Sequence, residues 1–189
     1  MHYPLEGPEP KECAMKKIAI VVAGLVACAA AHAADKSLVV PLAAVTAQGA
    51  GASVGTVTVT ESAKGLVFTP NLKGLPPGQH GFHLHEKPSC DPGEKDGKKG
   101  AALAAGGHYD PAKTGKHAGP EAMGHEGDLP RIDVGADGTD TTPVTAPHLT
   151  SLATLKGHAL MIHAGGDNYA DQPEALGGGG ARIACGVVP

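Results

Sequence analysis

The stretch His80–Cys90, HGFHLHEKPSC, puts imidazoles at His83 and His85, two positions apart in a segment that reads as a β-strand. Side chains two apart on a strand share a face, so these rings are neighbours while Phe82 and Leu84 fill the other face. A face that repeats histidine is poor material for a core. It is either solvated or built to hold something. More imidazoles follow in Gly- and Pro-framed contexts: His108 in GGHYDP, His117 in KHAGP, His125 in HEGD ahead of Asp128, and His163 at the end of ALMIH. Imidazoles with one carboxylate are the donor set that suits Zn(II) and Cu(II). His117, His125 and Asp128, joined by His108, would close a tetrahedral zinc site, while His83, His85 and His163 suit copper with room for a small ligand. Any one of these histidines alone reads as well as a hydrogen-bonded or solvated ring; it is their number and framing that point to metal.

The elements that must position them are short strands punctuated by Gly and Pro: 37–45, 53–61, 65–72, 79–85, 131–134, 144–147, 159–163 and 182–188. No amphipathic helical period of useful length is present, and an all-β sandwich or barrel follows. Two segments, 86–130 and 164–181, lack a strand pattern and read as long functional loops. Disorder fits the Lys- and Gly-rich centre, 91–100, but fits poorly with a loop that carries Cys90 and three of the histidines. A covalent tether and a metal are two ways to order such backbone.

Met15-Lys-Lys opens a cationic stretch, an apolar run follows to Ala31, and Ala31-His-Ala33 has the small residues of a cleavage site, so residues 1–33 read as a secretory signal peptide. Residues 1–14 add acids and prolines that no export signal needs, which makes Met15 the expected start and the preceding segment an upstream extension. The rival reading is a lipoprotein box at Leu25-Val-Ala-Cys28, which would leave a lipid anchor on Cys28. Residues 34–189 suit one domain. Of four cysteines, Cys90 and Cys185 remain in it, and two thiols in an oxidising compartment imply one disulfide. The net charge of −4 and the scarcity of aromatics exclude a nucleic-acid surface, and no run is long enough to span a membrane.

GFHLHE, GGHYDP, KHAGP, HEGDLP, GGDN and GGGGARIACGV, in that order, resemble copper,zinc superoxide dismutase of the bacterial periplasmic type, over nearly all of residues 37–189. The resemblance implies an eight-stranded antiparallel Greek-key β-barrel or sandwich, immunoglobulin-like, with the two long loops carrying function. It implies copper on His83, His85, His108 and His163, and zinc on His108, His117, His125 and Asp128, with the His108 ring bridging the ions. It implies that Asp167 links a copper ligand to a zinc ligand and orients both. It further implies that Arg182 stands beside the open copper position, that Cys90 pairs with Cys185 and that His80 is structural. The implied reaction disproportionates superoxide to O2 and H2O2 through a Cu(II)/Cu(I) cycle, in which His108 takes and returns a proton, as a defence against exogenous or host-derived superoxide.

Two divalent ions less one imidazolate and one carboxylate leave a centre of about +2, to which Arg182 adds, so an acidic protein can still focus an anion inward. Lys95, Lys98 and Lys99 either extend that channel or are simply solvated. A non-catalytic metal-binding domain on the same fold would lack a copper ligand, the bridge or the arginine, and all three are present. A metal buffer would need neither Arg182, Asp167 nor the disulfide, and a zinc hydrolase needs an open zinc position that four ligands close. Bacterial members of the family differ in how they pair, so a homodimer stays open.

Overall fold

In the computed structural model, Met1 and residues 37–189 are described. The signal-peptide reading, the start at Met15 and the lipid anchor on Cys28 lie outside the described residues. Among the described residues eleven strands run in chain order: β1 (Ser37–Thr46), β2 (Gly49–Ser62), β3 (Gly65–Leu72), β4 (Gly78–His80), β5 (Phe82–His85), β6 (Gly93–Lys95), β7 (Lys98–Gly100), β8 (Ile132–Val134), β9 (Val144–Ala146), β10 (Ala159–His163) and β11 (Arg182–Val187). Alternation sends every second apolar residue inward, so Val40 and Leu42 of β1, Val57 and Val59 of β2, and Leu66 and Phe68 of β3 join one buried core. Phe68 meets Phe82 there edge to face, ring centroids 5.7 Å apart.

Seven strands hydrogen-bond in the order β5-β10-β11-β1-β2-β3-β9, all antiparallel. β4 precedes β5 with only Gly81 between them and pairs with β8 instead, while Leu72 at the end of β3 bridges to Asp140 beyond β8. Counting β4 and β5 as one and setting β6 and β7 aside, this is the expected eight-stranded antiparallel Greek-key barrel.

Register decides what faces where. In the β5–β10 pair, Phe82 opposes Ile162 and Leu84 opposes Leu160, and all four enter the main core. His83 opposes Met161 and His85 opposes Ala159, on the other face of the same strands. The histidines therefore point out of the barrel, and they are buried only because the long loops cover them. Beside them a second apolar cluster, Val45, Ala102, Ala105, Ala159, Met161 and Cys185, forms under the first loop. The Cys90–Cys185 disulfide joins that loop to β11 across a sequence separation of 95, as expected.

One segment departs from expectation. Residues 93–100, read as patternless loop, form the β6–β7 hairpin. Its turn is Asp96-Gly97, with φ of 54° and 74°, the positive values a two-residue hairpin requires. The Asp-Gly pair is the signal that could have revealed it. Lys95, Lys98 and Lys99 are exposed on this hairpin, with Glu94 opposite Lys99. Among the described residues, no helix is long and apolar enough to cross a membrane.

Candidate metal centre

His83 and His85 come from β5 and His163 from the end of β10. Between Ile162 and His163 the β10–β11 register slips, so that His163 opposes Arg182 and Ile183 is left over. Opposed residues of an antiparallel pair share a face, so the bulge is what brings Arg182 beside His163. His108, His117, His125 and Asp128 arrive from the first loop, and Asp167 from the second. Isolated bridges tie the first loop to the strand, His85 with His108 and His83 with Asp128.

Two groups of ligand atoms lie within 4.8 Å of one another: His83, His85, His108 and His163, and His83, His108, His117 and Asp128. The expected copper set is thus brought together whole. On the zinc side His125 stands slightly outside the tightest group, with Nδ1 3.3 Å from Asp128 Oδ1 and its ring 5.4 Å from that of His108.

Hydrogen bonds fix which nitrogen of each ring is free. His85 Nδ1 donates to the Gly106 carbonyl at 3.0 Å and His163 Nδ1 to the Gly180 carbonyl at 3.2 Å. Their Nε2 atoms are then unprotonated, yet face each other at 3.4 Å. His83 Nε2 donates to Asp167 Oδ2 at 2.8 Å, which leaves a buried Nδ1 with no partner. His117 Nε2 donates to Asp167 Oδ1 at 2.7 Å, and its buried Nδ1 lies 3.0 Å from Asp128 Oδ2 without hydrogen-bond geometry. Buried nitrogens without partners are costly, and lone pairs that face each other repel. A cation in each place resolves both faults, so the donor set fits copper and zinc. His83, its Nε2 committed to Asp167, has one nitrogen to give and can serve one ion. His108 points Nδ1 at Asp128 Oδ1, 2.8 Å away, and keeps Nε2 for the other side.

Protonation follows the same division. Burial, aided by the neighbouring His83, pushes His108 down to about 4. Burial also drives His85 and His163 well below the usual range, with Arg182 the next cause for His85 and His83 for His163. These rings are neutral at neutral pH, the form that binds metal. Burial would lower His117 too, but Asp128 and Asp167 outweigh it and raise it to about 9. Burial likewise opposes ionisation of the two carboxylates, and their histidine partners overcome it and hold both well below the ordinary range. The pair demands positive charge at this spot, which a divalent ion supplies more fully than a proton.

Arg182 donates to the Ala102 carbonyl at 2.5 Å and to Gly106 at 2.6 Å, so Gly106 accepts from both the guanidinium and His85. Gly177, at φ 71°, lies against Asp167 Oδ1 and His117 Nε2, where any Cβ would collide. Asp171 Oδ2 accepts from the His117 main-chain N–H at 2.9 Å. The parts played by Asp171, Gly177 and the Ala102 and Gly106 carbonyls had no sequence signal, since two of the groups are backbone and the others depend on loop folding. His80, as expected, is structural: its ring bonds to the His163 and Pro76 carbonyls at 2.7 and 2.8 Å.

The family model for copper/zinc superoxide dismutase (SODC) matches residues 53–188. A Cu-Zn superoxide dismutase 2 of Salmonella typhimurium is 58% identical over 174 residues, 92% of this chain and 99% of that one. Among solved structures, the Cu/Zn superoxide dismutase from Brucella abortus superposes with a TM-score of 0.80 at 56% identity, covering 82% of this chain and all of that one. The monomeric copper, zinc superoxide dismutase from Salmonella enterica gives 0.74 at 60% identity, again over 82% of this chain and 100% of its own. Sequence, fold and donor set agree: the chain belongs to the copper/zinc superoxide dismutase family, oxidoreductases that disproportionate superoxide to O2 and H2O2 with copper and zinc as cofactors.

Proposed function

We propose that His83, His85, His108 and His163 hold copper and that His108, His117, His125 and Asp128 hold zinc, with the His108 ring shared between them. The pattern of free lone pairs carries this reading, above all Nδ1 of His83 and the facing Nε2 atoms of His85 and His163. When bound, copper supplies one-electron exchange with superoxide and zinc a fixed charge on the shared ring.

The chain's own residues do the rest. Asp167 holds His83 and His117 in their tautomers, so each presents Nδ1. Arg182, fixed by two carbonyls, sets a positive charge beside His163, where a small anion is drawn in and oriented. His108 holds a proton at Nε2 during turnover; that proton and one from water complete H2O2, while Nδ1 stays on the zinc side. In a metal-replete preparation, His163→Ala should lose copper and dismutation while keeping zinc, and Asp128→Ala should lose zinc first. Elemental analysis reads both, and the opposite loss in either variant sinks the assignment.

Residues 1–33 are proposed to export the chain to the periplasm, where the enzyme meets exogenous or host-derived superoxide. The disulfide supports an oxidising destination. The mass of the mature amino terminus tests this: a start at Ala34 agrees, and a lipidated Cys28 substitutes the anchored form.

A further inference from the structure

Asp167 lies in the loop between β10 and β11, with no strand to fix it, yet it is 3% exposed. Besides His83 and His117, two residues hold it. Arg131 donates from Nη1 to the Asp167 carbonyl at 3.0 Å, and Tyr169 donates its main-chain N–H to Asp167 Oδ1 at 2.8 Å. The two holders are themselves joined. Tyr169 Oη accepts from the Arg131 main-chain N–H at 3.1 Å, and the guanidinium carbon lies 5.3 Å from the tyrosine ring centroid, in cation–π range. Tyr169 sits at φ 59°, a left-handed conformation rare for a bulky side chain. Its ring also packs on the zinc-side loop: a Cβ on Gly119 would lie 2.6 Å from Tyr169 Cβ and Cγ. One tyrosine thus touches the loop that carries His117, the carboxylate that orients His117, and the arginine ahead of β8.

We propose that Arg131 and Tyr169 act as a clasp that positions Asp167 and, through Oδ1, His117, so that zinc retention depends on the clasp more than copper retention does. The inference rests on the reading that His117 holds zinc. The asymmetry comes from what else holds each ring. His83 sits in β5 opposite Met161, so strand pairing keeps it in place whatever Asp167 does. His117 belongs to no strand; the hydrogen bond that holds its ring comes from Asp167, and its main chain is held by Asp171. Loosening Asp167 therefore frees His117 far more than His83. Partners that orient metal ligands are commonly worth 10–100-fold in affinity.

The test uses Cu,Zn-loaded protein with Tyr169→Phe, Arg131→Ala and both together. Tyr169→Phe keeps the ring against Gly119 and removes only Oη. Each variant is challenged with a chelator while zinc and copper release are followed by elemental analysis and the Cu(II) spectrum. Each single change should speed zinc release about tenfold, at the lower end of that range, and leave copper release unaltered. Arg131→Ala cuts the guanidinium from the Asp167 carbonyl and Tyr169→Phe cuts Oη from the Arg131 main-chain N–H; because both act through the same carboxylate, the double variant should speed zinc release by less than the product of the two single effects. Parallel acceleration of both metals, unaltered zinc release in all three variants, or additive effects would overturn the clasp. His117→Ala separates the two levels. If it loses zinc while the clasp variants keep it, the clasp alone fails; if it keeps zinc as firmly as the parent, the ligand reading fails and takes the clasp with it.

Discussion

Nδ1 of His85 and of His163 each donates to a main-chain carbonyl, and that choice, more than the presence of histidine, makes the site. A ring whose Nδ1 is a donor has Nε2 as its free lone pair, and two such lone pairs aimed at one point call for a cation. The seven residues proposed as ligands stand out in the sequence by their spacing and framing, but the tautomers of His85 and His163 do not, because their acceptors are glycine carbonyls that any sequence possesses. Arg182 illustrates the same limit. Its place in GGGGARIACGV pointed to the site, while its two carbonyl anchors and the Gly106 oxygen it shares with His85 exist only in the fold. Because both anchors are backbone, removing the side chain should leave the metals in place. Arg182→Ala should lower superoxide turnover by roughly tenfold and flatten its dependence on ionic strength, since steering by a focused charge raises on-rates by about that much or more. Rate measurements across a salt series check this, and an unchanged rate with an unchanged salt slope would remove Arg182 from the reaction.

At the level of elements, the alternation that marked the strands also hid their most useful property. Period-two patterning assigns Phe82 and Leu84 to one face and His83 and His85 to the other, but it does not say that the histidine face lies outside the barrel. Closure of the sheet decides that, and the covering loops then bury the rings. The slip at Ile162/His163 was equally illegible, since nothing in ALMIH or ARIACG announces an unpaired Ile183. The β6–β7 hairpin was legible through Asp96-Gly97, and the long stretch of lysine and glycine around it drew attention instead to disorder. Besides its bridges to β5, the first loop has a covalent tie. Cys90 and Cys185 close a loop with a sequence separation of 95. Cys90→Ser/Cys185→Ser should cost about 4–5 kcal/mol of stability at most in the chain-entropy account. Chemical denaturation of the metal-free protein reads this. The same variant, loaded with both metals, should turn over more slowly, because Ala102 and Gly106 lie on the tethered loop. A loss below about 1 kcal/mol would mean that packing of Ala102 and Ala105 on Met161 already holds the loop without the bridge.

Over the whole molecule, stability and chemistry occupy opposite faces of the same strands. The core around Phe68, Phe82, Leu84 and Leu160 fills the barrel, and the donors stand outside it under loops that carry little core of their own. Such loops can differ in length and charge without disturbing the barrel, so a chain of net charge −4 can still draw an anion into a positive centre. The all-β class was legible because strand patterning is local; strand order and curl were not, because they arise from pairings distant in sequence and came only with the resemblance. The claim on which all of this turns is that one imidazole ring, His108, is shared by two different ions. Diffraction from crystals of the copper- and zinc-loaded protein, recorded on either side of each metal's absorption edge, tests it most directly. A copper peak is expected among His83, His85 and His163 and a zinc peak among His117, His125 and Asp128, with His108 between them. Two ions in separate pockets, or a His108 ring in contact with only one in the oxidised enzyme, would contradict it.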